Sequence, residues 1–203
     1  MRRSGVAAAI ILTALAAGAA GCAGSAAVSA PYTAPYTAHP SAGDRSTTAT
    51  EAEARQAQIY EQVLRRYLGT PAENSFPGRT FKIVYVLDQA YADAADPNGK
   101  HGHGEPVALP IQAQVTAALA GAAHVIFIAD PGSVLEAPHG CAQVKNGGIL
   151  ITLGTPAGNA SAVHVGINGF VACLGATWLT YVLREQPGVG WRVTGTTGSM
   201  AIS

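Results

Sequence analysis

The sequence predicts an α+β domain, with two helices packed on a largely antiparallel sheet of about five or six strands. Three observations lead to that class. Tyr60, Val63, Leu64 and Tyr67 recur at i, i+3, i+4 and i+7, the period of one helical face. The run TFKIVYVLD, residues 80–88, alternates large apolar side chains at a period of two. The C-terminal third breaks into short β-type runs divided by Gly, Pro and Asn, the rhythm of an antiparallel meander.

The elements follow in order. Thr50 with Glu53 three residues later is a capping box, so the first helix begins at Thr50. Gly69 and Pro71 stop it. The strand at 80–88 carries Phe81, Ile83, Tyr85 and Leu87 on one face and Val84 and Val86 on the other, so both faces are partly covered. Asp88–Pro106 reads as a long polar loop. Pro110 opens a second helix, with Ile111, Val115, Ala118 and Leu119 facing inward and Gly121 at its end. HVIFIAD, residues 124–130, is a nearly continuous apolar run and is expected to be a buried strand. Pro131–Gly148 is loop-like. ILITLG, AVHVGIN, TWLTYVLRE and WRVTGTTGSMAIS then read as strands, with EQPGVG (185–190) as a hairpin turn. The strand–helix–strand portion from 80 to 130 also admits a parallel pairing. Trp178 and Trp191 sit across the hairpin as packing residues.

The N-terminal segment has a different character. Arg2 and Arg3 precede an apolar run from Val6 to Ala20. That run is too short to span ~30 Å of hydrocarbon, which needs ~20 residues. It suits the apolar region of a signal peptide, residues 1–21. Ala19-Ala20-Gly21-Cys22 resembles the lipobox of bacterial lipoproteins, with Ala19 where the usual pattern has Leu. The resemblance implies cleavage before Cys22 and lipidation of its sulfur. Residues 22–49, which include the duplicated APYTAPYTAHP, are Ala, Ser, Thr, Pro and Gly with almost no large aliphatics. Such a segment cannot bury enough apolar surface to offset its ordering entropy, and it reads as a tether. The layout is therefore signal peptide, tether and one globular domain over 50–203.

Composition narrows the function. Loss of Arg2 and Arg3 with the leader leaves ten basic against twelve acidic side chains, which offers no clustered positive surface for nucleic acid. With Cys22 lipidated, Cys141 and Cys173 remain, and in an oxidising space they are expected to form a disulfide. His101, His103 and Glu105 in KHGHGEP are spaced by two and form a candidate site for zinc or copper. Asp88, Asp93 and Asp96 read as a solvated cluster. Ser133 and Ser199 follow glycine, but the sequence holds no G-x-S-x-G, Walker loop, CxxC or HExxH. No catalytic residue is assigned and no cofactor is expected.

IYEQVLRRYL, FKIVYVLDQAY, GGILITLG and LTYVLREQPGVGWRVTGTTGSMAIS, together with the ending at Cys22, resemble exported lipoproteins of high-GC actinobacteria. That group carries no assigned activity, so the resemblance implies export and a single domain and supplies no site residue. The expected function is a non-enzymatic lipoprotein, anchored on the extracytoplasmic face of the bacterial cell membrane, whose domain binds a protein or small-molecule partner. The alternatives are an extracytoplasmic hydrolase and a metal-binding lipoprotein using the His101/His103 loop.

Overall fold

The computed structural model describes residues 49–203. The expected signal peptide, Cys22 and all but the last residue of the expected tether lie outside the described residues. Helix α1 (Glu51–Gly69) starts on the expected capping box: the Glu53 N–H donates to Thr50 Oγ1 at 3.2 Å, and the Thr50 N–H donates to Glu53 Oε2 at 2.7 Å. Ile59, Tyr60, Val63, Leu64 and Tyr67 form its buried face. Pro71 does more than stop it, because it opens a single further turn, α2 (Pro71–Asn74). The buried Asn74 side chain closes this end, donating to Tyr67 O at 2.8 Å and accepting the Phe76 N–H at 2.9 Å.

Strand β1 (Ile83–Leu87) leads into two short strands, β2 (Gln89–Ala90) and β3 (Glu105–Pro106), which pair with each other. Helix α3 (Leu109–Leu119) buries Ile111, Val115 and Leu119 and delivers the chain to β4 (His124–Ile128). A stretch of 3-10 turns holds β5 (Leu135–Glu136) and β6 (Gln143–Val144). Then come β7 (Ile149–Leu153), β8 (Ala157–Gly158), β9 (Ala162–Ala172), β10 (Gly175–Gln186) and β11 (Gly190–Ile202).

The α+β class holds, with helices α1 and α3 over one sheet. The sheet itself corrects two expectations. It has nine strands, not five or six: a six-strand path in the order β11-β10-β9-β7-β1-β4, to which β5, β6 and β8 attach. It is also mixed. β11, β10, β9 and β7 pair antiparallel, as expected of the C-terminal meander, but β1 is parallel to both β4 and β7. The cause is α3. A helix inserted between two strands returns the chain to the same end of the sheet, so β4 must run with β1. Residues 131–147 make the same kind of return between β4 and β7.

HVIFIAD is corrected as well. β4 is the end strand of the path, so only Val125 is fully buried, while Ile126, Phe127 and Ile128 are half-buried. The fully buried strand is β7, which has a neighbour on each side and all five residues buried.

Two apolar clusters account for the packing. The larger lies between the helices and one sheet face, where Tyr60, Leu64 and Tyr67 meet Val84, Val86, Ile151, Ile167 and Leu183. The smaller lies on the opposite face of the parallel strands. Tyr85, Leu87 and Leu150 are covered there by Val134, Leu135 and Val144 of the 131–147 segment. β1 is thus covered on both faces, as its double alternation implied. Trp191 is only 1% exposed and packs toward the helices, whereas Trp178 is half-buried opposite Asn168 of β9 and Ala201 of β11. Among the described residues no helix is long and apolar enough to cross a membrane.

Candidate functional site

In open sheets with parallel strands, ligands are received outside the carboxyl ends of the strands where the strand order reverses. Here that point is the end of β1, which lies between β4 and β7. The chain occupies it with its own loop, residues 88–107. Tyr91 N–H donates to Leu153 O at 2.9 Å, and Val107 N–H donates to Asp88 O at 2.8 Å. Ala90, Ala94 and Val107 are buried beneath the loop.

Most of the sequence-predicted polar residues lie on this loop. His101 Nδ1 is 2.9 Å from Asp93 Oδ1, so the carboxylate accepts a ring N–H, and the imidazole lies 4.9 Å from the Tyr91 ring. Two glycines make this fold-back possible. A Cβ at Gly99 would stand 2.8 Å from Asp93 Oδ2, and one at Gly104 would stand 2.7 Å from Gln89 Oε1. His103 is exposed, and the exposed Glu105 lies in β3 opposite Ala90. The loop therefore joins His101 to Asp93, a pairing that the two-residue spacing of His101, His103 and Glu105 did not signal. Among the described residues no three His, Cys, Asp or Glu side chains gather into a metal-ligating group.

The other candidates stand apart. Cys141 and Cys173 form a disulfide with Cα atoms 5.6 Å apart, tying the 131–147 segment to the β9–β10 turn. Neither is then a free thiol, so among the described residues no cysteine thiol stands near the exposed His139 and His164. Ser133 Oγ donates to Asp130 O at 2.6 Å, which places its hydroxyl in a local turn. Ser199 is exposed on β11.

A concavity of about 610 Å³ lies elsewhere, between α1, α3 and the tip of the β10–β11 hairpin. Sequence reasoning missed it, because its walls come from three separated segments. Ala54 and Ala57 on α1 face Ala117 and Ala118 on α3, so neither helix fills the space between them. Trp191 forms the floor. Its backbone N–H donates to Gln58 Oε1 at 3.3 Å, and the Arg55 guanidinium lies 4.7 Å above its ring. Arg55 also donates to Asn159 O at 3.0 Å, which fixes the guanidinium over the indole. Glu51, Glu61 and Glu185 stand on the rim, with Glu61 bonded to Arg65 at 2.8 Å. The groove thus offers alanine walls, a cation stacked on the buried Trp191 ring beneath it, and carboxylate acceptors. The one available signal was the alanine content of both helices, which also fits tight packing.

At the other end of α1, Arg66 Nε donates to both Glu73 oxygens at 3.0 and 2.9 Å, and the Tyr181 hydroxyl donates to Glu73 Oε2 at 2.9 Å. Partial burial pushes the Glu73 carboxyl up, but the Arg66 and Tyr181 hydrogen bonds outweigh it and hold the group below its ordinary value of 4.5. Burial raises the Tyr181 hydroxyl well above its ordinary value, reinforced by the neighbouring carboxylate. This cluster joins α1, α2 and β10, and its chemistry is structural.

No family model, no curated protein and no solved structure matches this chain.

Proposed function

We propose that this protein is a lipid-anchored envelope protein without catalytic activity, whose domain binds a ligand or partner in the groove between α1, α3 and the β10–β11 hairpin. The observation that carries the location is the Cys141–Cys173 bond. Disulfides persist in oxidising compartments and are rare where thiols are kept reduced. The lipobox-like ending at Cys22 and the Ala/Pro/Ser/Thr-rich stretch after it support an anchor and a tether. The groove supports a binding role, since apolar walls with a few placed polar groups are the usual make-up of a ligand site. Its polar groups select for a ligand with an apolar body and hydrogen-bond donors.

Intact mass spectrometry of the protein extracted from its native cells tests this reading. The expected denatured mass begins at Cys22, carries added acyl chains and is two hydrogens short of the reduced chain. A lipid-free mass beginning elsewhere would overturn the anchor. Under native conditions a bound molecule is expected, and Ala54→Trp, which fills the groove, is expected to remove it. Retention of that molecule by the variant would move the binding site elsewhere.

A further inference from the structure

Three arginines gather where the last turns of α1 meet β11. A concavity of about 290 Å³ there is walled by Arg65, Arg66 and Arg192 with Gln62 and Thr70. Glu61 and Glu73, which bond to Arg65 and Arg66, are not in its wall. Arg192 has a neutral partner, donating to Gln62 Oε1 at 3.2 Å, and is in no ion pair among the described residues. Its place in the sheet explains its direction. Arg192 is in register with Arg184 of β10, and like charges directly opposite each other repel. β11 is the end strand of the path, so the Arg192 side chain is free to reach α1 instead.

On the α3 side of the same helix end, a second concavity of about 240 Å³ runs inward toward the start of β1. Leu68, Phe81, Leu119 and Ala123 form its apolar wall, and Phe81 and Leu119 belong to the larger core cluster. Arg65 and Gly69 line both concavities. A Cβ at Gly69 would meet nothing within 4 Å, so bare backbone and open space separate the arginines from the apolar wall. Drug-sized ligands occupy about 300–1,000 Å³, so the apolar part admits one aliphatic chain and not a pair.

We infer that the two concavities form one site for a single-chain amphiphilic anion. Its aliphatic chain enters between Leu68 and Phe81, and its carboxylate or phosphate head lies across Gly69 against the arginines. Charge complementarity selects the head: the polar wall carries three guanidiniums and no carboxylate. Arg192 commits only Nη1 to Gln62, which leaves Nε and Nη2 for the bidentate pairing that guanidinium makes with carboxylate and phosphate. The last turn of α1 already has Arg66 to offset its carbonyls, so the helix end alone does not account for Arg192. The site is separate from the proposed ligand groove. Arg65 donates to Ala118 O, and this bond bridges α1 and α3 between the two.

The test is calorimetric titration of the full chain with decanoate and decyl phosphate below their micelle concentrations, and with decyltrimethylammonium as the cation of equal chain length. One-to-one binding of the anions is expected, and none of the cation. Gly69→Leu, which places a side chain between the two concavities, and Arg192→Gln are each expected to weaken binding by about tenfold. Both positions are exposed, so the melting curves are expected to stay cooperative. Ala54→Trp in the other groove is expected to leave this binding intact, which keeps the two sites distinguishable. Failure of both anions to bind overturns the inference, as does equal binding of the cation. Binding that neither Gly69→Leu nor Arg192→Gln weakens places the amphiphile elsewhere and also overturns it. Co-sedimentation with phosphatidylglycerol vesicles without uptake of the single-chain anions would overturn the single-chain assignment in favour of a membrane surface.

Discussion

At Gly169 on β9 the sheet backbone lies directly against the Tyr67 side chain of α1. A Cβ there would overlap the Tyr67 hydroxyl and lie 2.7 Å from its Cζ. Tyr67 is fully buried, its hydroxyl bonded to Thr177 Oγ1, and burial pushes it up to about 12 despite that bond. Gly169→Ala is therefore expected to destabilise the domain by about 1–3 kcal/mol through overpacking. Tyr67→Phe removes the nearest of the colliding atoms, so the double variant should lose less than the sum of the two single changes. Urea unfolding of the three variants measures this, and strict additivity would count against the contact. Trp191→Ala is expected to cost about 3–5 kcal/mol, as for other buried aromatics. It would also release Arg55 from its stacked position and remove the groove floor.

Among the elements, α1 depends on its two ends. Thr50→Ala removes the cap and is expected to cost about 1 kcal/mol, read as a lower urea midpoint with an unchanged slope. At the far end Glu73 ties α2 to α1 and β10. Its carboxyl is held below its ordinary value in the folded chain, so its contribution is present above that value and fades as pH falls through the depressed one. Stability is expected to drop from pH 5 toward pH 3 more steeply in the wild type than in Glu73→Gln. Parallel curves would show that the cluster contributes nothing through charge. At neutral pH the substitution is expected to cost on the order of 1–3 kcal/mol. Gln keeps one amide oxygen able to accept the Tyr181 hydroxyl, so the loss falls on the bonds from Arg66, which is nearly half exposed and whose ion pair is weakened by water.

For the whole molecule, the disulfide is the long-range constraint. It joins positions 32 residues apart and holds the 131–147 cover onto the smaller cluster. Reduction, or Cys141→Ser with Cys173→Ser, is expected to lower stability by about 2–4 kcal/mol. Amide exchange is expected to rise first at Val134, Leu135 and Val144, the residues of that cover. Uniform faster exchange across the sheet would mean that the cover does not open separately. None of the groove's lining residues belongs to the segment this bond holds, so reduction should leave binding in place.

What the sequence determined by itself is local. The capping box, the buried face of α1, the Pro110 start of α3 and the Gly-rich β10–β11 hairpin depend on residues within a turn or two of one another. The strand runs were legible by their period of two, and the Cys141–Cys173 pair by elimination once Cys22 was set aside. Pairing partners were not legible. HVIFI is as apolar as ILITL, yet β4 ends the sheet and β7 is enclosed, because burial depends on how many neighbours a strand acquires. The parallel direction of β1, β4 and β7 likewise comes from where the chain returns after α3 and after 131–147. His101 meets Asp93 because glycines let the loop double back, and the groove exists because three distant segments stop short of one another. These are long-range placements, decided by the packing of the two helices on the sheet and not by the spacing of residues along the chain.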